Sequence, residues 1–106
     1  MEGETYLSYQ DVLVKLIDGI QGIELRSSIV EAFNYILHAY MSGKISDSQL
    51  KKDLTSFCLD VLTVKNPGVD PETLKDEAEK WADQLYKGVK VYALRYRFAQ
   101  AYGRGE

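Results

Sequence analysis

The chain has 106 residues, 45% of them apolar and 27% charged, with a formal net charge of −3. That is material for one domain with one ordinary core and little more, and neither a disordered nor a membrane-embedded class fits the composition or its short apolar runs. A single cysteine, Cys58, and a single histidine, His38, exclude an internal disulfide framework, a thiolate zinc site and every two-histidine metal signature.

The start, Met1-Glu2-Gly3-Glu4, is acidic where a signal peptide is basic, and no apolar stretch follows it. A cytoplasmic protein is the expectation. Ser8 with Asp11 three residues later resembles a capping box, after which Val12, Leu13, Leu16, Ile17 and Ile20 recur at helical spacing. Gly19 and Gly22 supply the stop, so a first helix is predicted over residues 9–18.

Ile29, Val30, Phe33, Ile36, Leu37, Tyr40 and Met41 form the stripe of a second helix, ended by Ser42-Gly43. Its start is either a Ser28–Glu31 capping box or an earlier point near Glu24. Ser46 and Gln49 repeat the capping pattern and open a third helix, with Leu50, Leu54, Phe57 and Val61 on its main stripe. Leu59 lies on the opposite side, so this helix is predicted to touch neighbours on two sides.

Residues 64–69 form the clearest loop, and Asp70-Pro71-Glu72 is the strongest helix start in the chain: an acid cap, proline in the first turn, then more acid. Leu74, Ala78, Trp81, Leu85, Tyr92, Tyr96 and Ala99 then keep one face to the C-terminus. Gly88 is the weak point, costing ~1 kcal/mol relative to alanine. The fold expected is all-α: an antiparallel up-and-down bundle of four helices in a single domain, or of five if Gly88 breaks the last one.

Charge is unevenly spread along this plan. Up to Tyr86 there are eight Lys/Arg against fifteen Asp/Glu; from Lys87 there are five against one. Beyond Gly88 the last helix also turns apolar on a second side, through Val91, Leu94, Phe98 and Ala101, with Tyr102 following. A helix apolar on two sides needs two partners. One is the chain's own core. The other is a second chain, an assembly surface or the segment around Tyr6 and Leu7 folding back.

On the solvent face of the same helix, Glu72, Asp76, Glu79 and Asp83 give way to Lys87, Lys90, Arg97 and Arg104. The helix macrodipole favours that order by itself. Antiparallel pairing of two copies would also use it, setting each acidic half against the partner's basic half. Lys87, Lys90, Arg95, Arg97 and Arg104 interleave with tyrosines and Phe98, which makes them candidate phosphate contacts in a nucleic-acid-associated protein. The acidic remainder of the chain opposes that use.

No catalytic constellation stands out. Glu31, Asn34 and His38 share the polar side of the second helix, where a solvated face explains them as well as an acid–base set does. Cys58 sits at the edge of an apolar stripe and reads as a small buried hydrophobe. Neither a calcium loop nor a glycine-rich phosphate loop is present in the sequence.

Residues 33–45, Phe-Asn-Tyr-Ile-Leu-His-Ala-Tyr-Met-Ser-Gly-Lys-Ile, resemble the first helix and turn of a tetratricopeptide- or pentatricopeptide-type hairpin. The resemblance implies a stacked helical hairpin of the kind that builds protein- or RNA-binding surfaces. It covers one copy, and the helix that follows lacks the small alanines of those motifs. Generic hairpin physics accounts for it, and no RNA-reading residues are carried over.

The reading that follows is a non-enzymatic helical interaction module or accessory subunit without cofactor or metal. Its interface is expected at Val91, Leu94, Phe98, Ala101 and Tyr102, with a protein partner or a second copy of the chain. The alternative is nucleic-acid contact through the five basic residues.

Overall fold

In a computed structural model describing residues 8–103, four helices carry the fold. They are α1 (Tyr9–Ile17), α2 (Ile23–Met41), α3 (Asp47–Lys65) and α4 (Lys75–Phe98). A 3-10 turn, Pro71–Leu74, leads into α4, and a π turn, Ala99–Gly103, continues it. The all-α bundle expected from periodicity is the architecture found, and among the described residues there is no strand.

Local chemistry sets the helix ends. The hydroxyls of Ser8 and Ser46 accept the amides of Asp11 and Gln49, each at 3.1 Å, and the Asp70 carboxylate accepts the Glu72 amide at 3.1 Å. Each cap satisfies a backbone donor that has no partner inside its helix. Helix α2 begins at Ile23, directly after Gly22, without a side-chain cap. The earlier of the two expected starts is therefore the one adopted, and Ser28 lies inside the helix. At its far end Gly43 takes φ +80°, which lets Lys44 donate to the Ala39 carbonyl at 2.8 Å and Gly43 to that of Tyr40 at 3.0 Å. That pair of bonds closes the helix and reverses the chain into α3.

Helix α3 is the central element, antiparallel to α4, with Asp47 beside Lys90 and Lys51 beside Asp83. It buries Leu50, Leu54, Phe57, Cys58, Val61 and Leu62. Facing it, α4 buries Ala78, Ala82, Leu85 and Val89, where the two alanines bring the helix axes close. Helix α1 adds Val12, Leu13, Leu16 and Ile17, and Lys65 ties the ends of α3 and α1 together by donating to the Leu16 carbonyl at 2.8 Å. Helix α2 is peripheral. Its nineteen residues bury only Ile29 and Phe33, the latter stacked on Tyr9 at 5.4 Å and tilted against Phe57 at 5.8 Å.

Gly88 does not break α4, which runs through it without interruption. The glycine is buried where α1 crosses, and a β-carbon there would lie 2.9 Å from both Cα and N of Tyr9. The residue that reads as a weak point in one helix is thus the contact point between two.

Candidate interaction surface

Ala93 is the last buried residue of α4. The start of α1, the α2–α3 turn and the start of α3 all lie at this end of the bundle, and α4 continues beyond them. Residues 94–103 are exposed without exception, a projection of about 15 Å at ~1.5 Å per residue. Large apolar side chains persist along it: Leu94 is 54% exposed, Phe98 56% and Tyr102 76%. The rings of Phe98 and Tyr102 lie 5.5 Å apart, one turn from each other, and form a ledge on the outer side. Isolated exposed apolar residues are ordinary; here three large ones follow one another along the projection.

The expected core stripe ends sooner than its periodicity suggests. Tyr92 and Tyr96 are 39% and 47% exposed, and Ala99 is exposed as well. Beside this part of α4 lie only the start of α1 and the end of α2, and neither covers it; Tyr6 and Leu7, expected as a segment that could fold back here, lie outside the described residues. Tyr92 meets Tyr9 edge-on at 5.3 Å and Tyr96 at 6.4 Å, so the two tyrosines step off the core rather than continue it. Together with Leu37, His38 and Met41 of α2 they line an open groove of about 460 Å³. Sequence reasoning missed this groove, because nothing local to α2 shows that α4 passes its end.

Val91, 37% exposed, begins the second apolar side, and Leu94, Phe98, Ala101 and Tyr102 follow on it, all exposed. They lie across the helix from the groove. Every residue named for the interface is therefore accessible.

The five basic residues do not form one strip. Lys87 pairs with Asp83 at 3.1 Å, and Lys90 pairs with Asp47. Asp47 also accepts the Tyr40 hydroxyl at 2.7 Å, so a three-residue cluster fastens α2, α3 and α4 where the projection begins. The Lys90 ammonium, then the Tyr40 hydroxyl, hold the Asp47 carboxyl below its ordinary range, and Asp47 in turn raises the pKa of Lys90. Arg95 and Arg97 are exposed on opposite flanks of the outer apolar side. Arg104 lies outside the described residues. Upstream, Glu72 of the acidic stripe pairs with Lys75 at 3.1 Å, and Asp83 is shared between Lys87 and, at 3.9 Å, Lys51.

The residues considered for acid–base chemistry are not brought together. Asn34 and His38 face the groove beside α4, whereas Glu31 faces a separate hollow with Ile23, Arg26 and Val30. Cys58 is fully buried, and burial pushes its thiol up to about 12, so it carries no nucleophile at neutral pH. Among the described residues no three His, Cys, Asp or Glu side chains converge on a metal position, and no helix is long and apolar enough to cross a membrane. No protein-family model, curated protein or solved structure matches the chain, and the hairpin resemblance of residues 33–45 gains no support from those comparisons.

Proposed function

We propose that this chain is a non-enzymatic helical interaction module, an accessory subunit that docks onto another protein through the outer side of its last helix turns. One observation carries the reading: α4 outruns its own bundle after Ala93 while keeping Leu94, Phe98 and Tyr102 as large exposed side chains. Burying an apolar side chain of that size is worth roughly 1.5–3 kcal/mol, and the bundle leaves that gain unrealised. The cytoplasm is the compartment proposed with it.

A photo-crosslinking residue at position 94 or 98, in the native source, tests the assignment. Its adducts should differ from those of the same label at exposed, polar Glu79 and should be lost with Phe98→Asp. Identical adducts at both places would remove the surface.

A further inference from the structure

We infer that the partner of this surface is a helix with an apolar stripe flanked on both sides by acidic residues, and not a second copy of this chain. The inference rests on the docking reading above and adds the chemistry of the occupant.

Val91, Leu94, Phe98 and Ala101 are spaced three, four and three apart, the spacing of the two core positions in a heptad repeat. All four are exposed; Val91, Leu94 and Phe98 share one side of α4, and Ala101 follows in the π turn that continues it. The pattern begins where the core ends. One and two heptads before Val91 the equivalent position holds Gln84 and Glu77, and before Leu94 it holds Lys87 and Lys80. The apolar seam therefore begins at Val91, beside the start of α1, and runs onto the turns beyond Ala93.

The positions bordering such a seam face the bordering positions of the partner helix and decide which partner is accepted. Here they are Arg97 and Lys90, the latter also paired with Asp47, on one side and Arg95 on the other. No Asp or Glu occurs between Asp83 and Glu106. Two copies aligned through their apolar seams would set Arg97 against Lys90 or Arg97 when antiparallel, and Lys90 against Arg95 when parallel. Both arrangements place like charges together.

A different antiparallel register does bring Asp83 opposite the partner's Arg97. It also moves Leu94 and Phe98 to face turns near Tyr86 and Ala82, where the same side of the helix carries Lys80, Asp83, Gln84 and Lys87. Charge match and apolar match cannot be met in one register. Asp83, moreover, is already engaged by Lys87. An acidic flank from a different chain satisfies both conditions at once.

Two three-heptad peptides with the same apolar seam, one with Glu and one with Lys at every flanking position, provide the test by fluorescence anisotropy with the full chain. The Glu peptide should bind about tenfold tighter or better, and its advantage should shrink as salt approaches about 0.5 M. Arg95→Glu with Arg97→Glu, both on the surface, should reverse the preference. Equal affinity for the two peptides, or binding of neither, would overturn the acidic partner. So would a dimer in sedimentation that Leu94→Asp dissolves, or displacement of the Glu peptide by equimolar single-stranded DNA. Glu-peptide binding that survives Leu94→Asp with Phe98→Asp would instead show that the docking surface itself is misplaced.

Discussion

Gly88 of α4 and Tyr9 of α1 meet backbone to backbone, and a β-carbon at position 88 would stand 2.9 Å from the Tyr9 Cα and N. Real β-carbons do not approach other heavy atoms that closely, so any larger residue must push α1 away. The contact also sets where Tyr9 stacks on Phe33, and through it where α2 lies. Gly88→Ala in an ordinary exposed helix would stabilise by ~1 kcal/mol. Here overpacking should outweigh that gain and leave the variant about 1–3 kcal/mol less stable by urea unfolding. A stabilised variant would mean that α1 is not seated on α4.

Phe33 is fully buried and anchors a helix that has few other anchors. Phe33→Ala should cost about 3–5 kcal/mol, the usual range for emptying an aromatic core site. Tyr35, two residues on and 79% exposed, should change stability by no more than about 0.5 kcal/mol when replaced by alanine. Equal losses at the two positions would contradict the face that α2 presents to the core.

Leu94→Asp and Phe98→Asp should leave the unfolding free energy within about 0.5 kcal/mol of the parent, because neither side chain is in the core. Leu54→Asp, at a position with no exposure, should unfold the chain. Loss of folding in either C-terminal variant would place those residues inside the protomer and remove the reason for a partner.

Cys58 should resist alkylation at neutral pH in the native state and react at the ordinary rate in urea. Its thiol pKa rises on folding, to about 12, from an unfolded value of about 8.5. The unfolded chain therefore binds fewer protons between those values, and stability should fall as pH rises above about 8.5. Cys58→Ser would flatten that alkaline limb, and a limb of unchanged slope would assign it to other groups.

Asp47 has the opposite sign. Lys90 and Tyr40 lower its pKa in the folded protein, so its contribution is present above the unfolded carboxylate value of about 3.9 and is lost as pH falls through the folded value. Asp47→Asn should lower the melting temperature at neutral pH and weaken its decline below about pH 4. Parent and variant melting curves that stay parallel down to the lowest pH would separate Asp47 from the acid response.

Much of the helical plan is legible in the sequence, because capping and periodicity are local. Ser8, Ser46 and Asp70 each announce a helix start, and each forms the expected backbone bond. Tyr92 and Tyr96 show the limit of periodicity. Their phase places them on the core side of α4, but phase carries no information about how far α1 and α2 extend beside them. Gly88 shows a second limit. Read within one helix, its missing side chain is a defect, and only the approach of Tyr9 makes it a fit. Val91, Leu94 and Phe98 stand out in the sequence as a second apolar side, but their exposure has the same source as that of Tyr96 and Ala99, the run of α4 past its neighbours, which phase does not encode. The groove between Met41 and Tyr96, and the Tyr40–Asp47–Lys90 cluster at the base of the projection, depend on three helices meeting and leave no local trace.

The continuity of α4 has a further consequence. From the core to Phe98 the turns belong to one uninterrupted helix, so a molecule gripping Leu94 and Phe98 holds the whole body at a fixed azimuth. One residue inserted after Ala93 would rotate the bundle by about 100° and advance it by ~1.5 Å relative to whatever is gripped. The spacing between Ala93 and Phe98 is thus a setting of angle as much as of distance.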